Sequence, residues 1–177
     1  MIYHFRAISD ESENFILDIA IDSNNSFLEL HDFIQEMLDY DPSQMASFFI
    51  TDHDWNREQE ITLIDMENEE QSAPSMENTK LSDFLSNEKQ RLLYVFDLFA
   101  ERMLFMELLQ IDKGNLEKTM CLKKEGTPPD QINEKSFNFE LTNENLQLDD
   151  SEINDFLSND EDPDNYSDEE FDENDFY

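Results

Sequence analysis

Leu92-Leu93-Tyr94-Val95-Phe96, followed after Ala100-Glu101-Arg102 by the second apolar run Met103 to Ile111, is the stretch on which the fold turns. As a single helix of about twenty residues it would scatter Asp97, Glu101, Arg102, Glu107 and Gln110 around its circumference. A buried helix gathers such residues on one face. Two short runs rich in aromatic and branched residues, separated by a charged break, read better as two central strands. No run approaches eighteen apolar residues, so the stretch is core and no membrane span is expected.

Working outward, Ile2 to Ile8 and then Phe15, Leu17, Ile19 and Ile21 alternate apolar with polar, separated by Asp10-Glu11-Ser12-Glu13-Asn14. This predicts a hairpin. Ser26-Phe27-Leu28-Glu29 has the spacing of a capping box, and Phe27, Leu30, Ile34, Met37 and Leu38 follow at helical period. Glu29, Asp32, Glu36 and Asp39 fall on the wet side, with Asp41-Pro42 as the expected stop. Phe48-Phe49-Ile50 and Ile61-Thr62-Leu63-Ile64 read as strands around the turn Asp52-His53-Asp54-Trp55-Asn56. A polar acidic loop is expected over 66–79, a helical turn at Leu81, Phe84 and Leu85, and a last strand at Phe137, Phe139 and Leu141. The fold class is therefore α+β, a mostly antiparallel or mixed sheet with one main helix packed on it.

The formal charge of −34 is unevenly distributed. Fourteen of the 45 acidic residues fall in 149–177 with no Lys or Arg, which leaves 31 against 11 on residues 1–148, a net of −20. A folded domain over 1–148 and a largely disordered acidic tail over 149–177 are expected, since like-charge blocks bury too little surface to offset ordering. Such a balance repels nucleic acid and anionic membranes and favours a cationic protein partner. Within the tail, Ile153, Phe156 and Leu157 have the i, i+3, i+4 spacing of one amphipathic turn for a partner groove. Asp160, Asp162 and Asp164 begin like a calcium loop, but Asn165 stands where glycine and Phe171 where the bidentate Glu is required. These carboxylates are assigned to the partner-binding tail, and no metal site.

Most catalytic classes lack their parts. Gly114 and Gly126 are the only glycines, so no phosphate-cradling loop exists. Asp52, His53 and Asp54 lack a second histidine at zinc spacing and read as a solvated turn. Cys121, the lone cysteine, forms no internal disulfide and has no identifiable catalytic partner. With a start Met1-Ile2-Tyr3-His4-Phe5-Arg6 that resembles no export signal, this indicates a cytoplasmic chain. Neither cofactor nor catalytic residue is assigned.

Phe27-Leu28-Glu29-Leu30-His31 with Ile34-Gln35, Tyr94-Val95-Phe96-Asp97, and Cys121 followed by Gly126-Thr127-Pro128-Pro129-Asp130 together resemble the plasmid open-reading-frame-three-like family. The family is named from a root-inducing plasmid, is often labelled an insertion-element passenger of TnpR type, and is of unknown function. The likeness covers about residues 1–132 and implies an α+β domain without established activity. It marks His31, Tyr94, Asp97, Cys121, Pro128, Pro129 and Asp130 as motif positions. The family's central motif usually runs on into Gly-Asp and then a Trp and His, where this chain has Leu98-Phe99-Ala100-Glu101. Its Pro-Pro-Glu-Asp-Cys-Gly-Gly ending is here Pro128-Pro129-Asp130-Gln131. These departures remove polar residues that chemistry would use, and no serine-recombinase motif is visible. The expectation is a non-enzymatic interaction protein. The alternatives are a DNA mimic and a small ligand-binding protein or hydrolase with a degenerate site near Asp97 and His31.

Overall fold

The computed structural model describes residues 1–64 and 73–131. Seven strands, β1 (Ile2–Ile8), β2 (Ile16–Asp22), β3 (Ser47–Thr51), β4 (Arg57–Thr62), β5 (Arg91–Asp97), β6 (Arg102–Asp112) and β7 (Met120–Glu125), form one sheet in the order β4-β3-β5-β6-β1-β2-β7. Every strand pairing in it is antiparallel. The main helix α1 (Phe27–Leu38) and the single turn α2 (Leu81–Phe84) complete the described residues, and the fold is α+β.

The stretch from Leu92 to Ile111 is a hairpin, with Leu92 opposite Met106, Tyr94 opposite Leu104 and Val95 opposite Met103. Period-two alternation sends Leu92, Tyr94 and Phe96 to the core with Leu104, Met106 and Leu108. Leu93 and Val95 are also buried, which is why this central strand reads as an unbroken apolar run. On their side Trp55 meets Phe105 edge-on, and Arg57 and Arg91 lie over Phe49 and Trp55. The hairpin turn is made by Asp97, whose carboxylate accepts from the Phe99 and Ala100 amides at 3.1 and 3.0 Å.

The first hairpin pairs Tyr3 with Ile21 and Phe5 with Ile19, placing both rows under α1. The capping box forms as spaced: the Glu29 amide donates to Ser26 Oγ at 3.2 Å, and the Ser26 amide to Glu29 Oε2 at 2.8 Å. Phe27, Leu30, Ile34 and Leu38 face the sheet, with Phe27 against Phe48 and Phe48 against Tyr94. Asp22, buried at the end of β2, accepts from the Asn24 and Leu116 amides and so fixes the approach to β7. Burial alone would raise its pKa, but these bonds, Asn24's first, hold it below the usual carboxylate value.

Two sequence expectations need correction, and one strand was not expected. The helix ends at Leu38, ahead of Asp41-Pro42, because Asp39 turns left-handed (φ 59°) and donates its amide back to the Gln35 and Glu36 carbonyls. Aspartate tolerates that conformation better than most residues. The fourth strand spans Arg57–Thr62 instead of 61–64, since pairing with β3 sets its limits and Ile61 alone faces the core. The seventh strand shows no alternation and buries none of its side chains: Met120, Cys121 and Leu122 are exposed on a sheet edge that carries Lys123 and Lys124. The proposed last strand at Phe137, Phe139 and Leu141, and part of the acidic loop over 66–79, lie outside the described residues. Among the described residues no helix is long and apolar enough to cross a membrane.

Candidate functional site

His31 and Gln35 lie one helical turn apart on α1, so both side chains project onto the same place on the sheet. That place is Tyr94, which is fully buried. Gln35 Nε2 donates to Tyr94 Oη at 2.5 Å, and Tyr94 Oη lies 2.9 Å from His31 Nδ1. A phenol oxygen that accepts from an amide still carries one proton to donate, and His31 Nδ1 is in line to take it. This assigns His31 the neutral, Nε2-protonated form, consistent with burial holding its pKa below the ordinary value against the pull of Asp32. Burial likewise pushes the Tyr94 hydroxyl well above its usual range, with Gln35 pulling the other way.

A second tier surrounds this triad. Gln131 Nε2 reaches Gln35 Oε1 at 3.5 Å and donates to the Asp41 carbonyl at 3.0 Å, while Gln131 Oε1 accepts from the Asp41 amide at 2.6 Å. Arg102 donates to the Gln131 carbonyl at 3.1 Å, holds Glu11 through Nε and Nη2, and has Asp97 at 3.9 Å. Its guanidinium sits over Phe96. Tyr40, tilted against Phe96 at 5.4 Å between ring centroids, donates to the Pro129 carbonyl at 2.5 Å. Burial is the main cause that raises the Tyr40 pKa far above normal.

The motif positions are thus sorted by geometry. His31 and Tyr94 meet directly, and Asp97 and Pro129 join them through Arg102, Gln131 and Tyr40. Pro128 is half-buried and Asp130 exposed on the same segment, whereas Cys121 is exposed on β7 opposite Ile19 and takes no part. Ile153, Phe156, Leu157, Asp160, Asp162 and Asp164 lie outside the described residues. The pairing of Asp97 with His31 in an open pocket is not what the structure has. Asp97 is held by its turn, and His31 is 2% exposed. Among the described residues the His31–Tyr94–Gln35 triad is buried, and its hydrogen bonds tie α1 to β5.

Sequence reasoning quoted Gln35 and Gln131 only within the motifs, gave Tyr40 and Arg102 no role, and joined none of the four to this network. Gln35 offered one signal: a polar residue beside Ile34 and Leu38 in the apolar stripe, four residues after His31. The other three depend on contacts across 29 to 90 positions of sequence, which no local pattern encodes.

Asp52, His53 and Asp54 place their ligand atoms within 4.8 Å of one another. The Asp52 carboxylate is already occupied by the Asp54 amide and by the Asn56 amide and side chain at 2.8–2.9 Å. Those bonds, Asn56's first, hold its pKa below normal, the pattern of a turn built by an aspartate. On the outer face of α1, Glu29, Asp32 and Glu36 are exposed, Asp39 is exposed at the helix cap, and the helix contains no Lys or Arg. Lys124 reaches only the helix end, where its ammonium donates to the Met37 carbonyl.

The family model described as plasmid pRiA4b ORF-3-like protein matches residues 7–176, a longer stretch than the 1–132 that carries the motif likeness. A crystal structure of a protein of unknown function from Methanosarcina mazei Go1 is similar, with TM-score 0.59, 20% identity, and coverage of 94% of this chain and 93% of that one. At that identity the likeness is one of fold. No curated protein matches the chain.

Proposed function

Given that the chain belongs to the plasmid pRiA4b ORF-3-like family, a family of unknown function, we propose that it is a non-enzymatic accessory protein whose acidic surface binds a cationic protein partner. The observation that carries this reading is the outer face of α1. Exposed carboxylates at positions 29, 32 and 36 lie along about 10 Å of helix, given a rise of about 1.5 Å per residue, with no basic side chain from the helix between them, and Asp39 follows at the helix cap. Their backbone is fixed by the capping box and by the packing of Phe27, Leu30, Ile34 and Leu38, so the row is ordered. The acidic residues over 149–177 add net charge and faster encounter, and are assigned a contribution separable from that of the helix.

The test compares Asp32→Asn/Glu36→Gln with the control pair Asp10→Asn/Glu13→Gln, which removes the same charge from the first hairpin turn. Binding of a Lys- and Arg-rich peptide to the full-length chain is measured at low and physiological salt. The helix pair is expected to weaken binding by about 5- to 30-fold, from roughly 0.5–1 kcal/mol per lost contact, and the control pair by less than twofold. Equal losses from both pairs would mean that total charge, and not this face, does the binding. DNA mimicry is a narrower form of the same reading, favoured by the row of carboxylates. Its mark is a partner that duplex DNA displaces.

A further inference from the structure

Residues 127–131 have no regular secondary structure, yet they are tied down at nearly every step. Ser12 Oγ donates to the Thr127 carbonyl at 2.8 Å, Tyr40 Oη to the Pro129 carbonyl, and Arg102 Nη1 to the Gln131 carbonyl, while the Gln131 side-chain amide meets both the amide and the carbonyl of Asp41. We propose that the surface made by Gln35, Tyr40, Asp41, Phe96 and Arg102 is a peptide-binding site for a segment bearing proline two residues before glutamine, which this chain covers in cis with its own Pro128–Gln131.

Two features distinguish this from an ordinary loop contact. The first is that the recognising groups are set without help from the segment. Arg102 is held by Glu11 at 2.8 and 3.0 Å and stacked over Phe96, Tyr40 packs on the same ring, and Asp41 follows the left-handed end of α1. The second is what those groups read. Tyr40 and Arg102 contact main-chain carbonyls, and the Gln131 amide engages Asp41 by one acceptor and one donor, as a neighbouring strand would. Such main-chain contacts would recognise a partner peptide with proline two residues before an amide side chain. Pro129, buried, supplies the apolar anchor. A tethered segment competes at an effective concentration in the millimolar range, so an external peptide enters only when the tether is weakened. The peptide-binding surface and the acidic face of α1 use different residues, and the two readings stand or fall separately.

The experiment uses the full chain and a fluorescein-labelled peptide Gly-Thr-Pro-Pro-Asp-Gln, with fluorescence anisotropy as readout. Gln131→Ala removes the amide contacts to Asp41 and Gln35 while leaving the recognising residues in place. Gln131→Glu serves the same purpose with less loss of volume should the alanine variant misfold, a point settled beforehand by circular dichroism. The peptide is expected to bind either variant at least tenfold more tightly than the parent chain. Adding Tyr40→Phe is expected to take back most of that gain, since the Pro129-equivalent carbonyl loses its donor. Equal affinity for parent and variant, absence of binding to the folded variant at millimolar peptide, or undiminished binding with Tyr40→Phe would each overturn the proposal.

Discussion

Replacing Tyr94 by Phe removes one oxygen from a fully buried position and leaves the ring stacked against Phe48, at 4.8 Å between centroids. The packing loss is small. What remains is a Gln35 Nε2–H without an acceptor and a His31 Nδ1 without a donor, both under the helix where water does not reach. An orphaned buried polar group costs about 1–3 kcal/mol. Two orphans, less the relief of no longer burying the phenol oxygen, give an expected destabilisation of about 2–4 kcal/mol. Against a total of roughly 5–15 kcal/mol for an ordinary domain this is a large fraction. Urea unfolding followed by the fluorescence of Trp55, the only tryptophan, reads it directly because that ring packs edge-on to Phe105. The pair Tyr94→Phe with Gln35→Leu is expected to recover part of the loss, since removing both partners of a bond avoids one orphan. A cost below about 0.5 kcal/mol for Tyr94→Phe, or no recovery in the pair, would refute the reasoning that the triad latches helix to sheet.

Two further predictions rest on other parts of the fold. At Gly126 the backbone is left-handed (φ +74°), and an added Cβ would sit 2.5 Å from the Asn14 carbonyl oxygen and 2.9 Å from Phe15 Cα, both backbone atoms. Gly126→Ala is therefore expected to cost at least ~1–3 kcal/mol from the backbone conformation, read by thermal unfolding, with faster amide exchange along β7 and residues 127–131. His31 is the second case. Burial lowers its folded-state pKa, so the unfolded chain binds more protons and stability is lost as pH falls below the unfolded value of about 6.5. Measured from pH 8 to 5, the stability of the parent chain relative to His31→Asn is expected to decline below that point, with a slope approaching about 1.4 kcal/mol per pH unit.

Much of this architecture was legible where the period of burial matches the period of the chain. Leu92, Tyr94 and Phe96 alternate, Phe27, Leu30, Ile34 and Leu38 recur at helical spacing, and Ser26 with Glu29 announce the helix start; each is decided by neighbours in sequence. The edges were less legible. Arg57–Thr62 and Met120–Glu125 are held by the ladders of β3 and β2, and bury too little side chain for their own sequences to show it. The end of α1 depends on a left-handed Asp39 that composition does not distinguish from the aspartate at 41. Of the candidate site, the motif positions His31 and Tyr94 were visible as residues but not as a contact, because their separation of 63 positions is closed only by packing α1 on the sheet. Asp97, a motif position on the same strand, closes a hairpin turn through amides two and three residues on.

The central claim is that His31, Tyr94 and Gln35 form a buried hydrogen-bonded latch between α1 and the sheet. It is tested most directly by following the imidazole nitrogens of His31 by NMR between pH 8 and pH 5. The account expects a neutral ring protonated on Nε2, hydrogen bonded at Nδ1, with its midpoint below the ordinary histidine value of about 6.5. A midpoint at or above that value, or a ring protonated on Nδ1, would put His31 in contact with solvent or reverse its bond to Tyr94, and would contradict the latch.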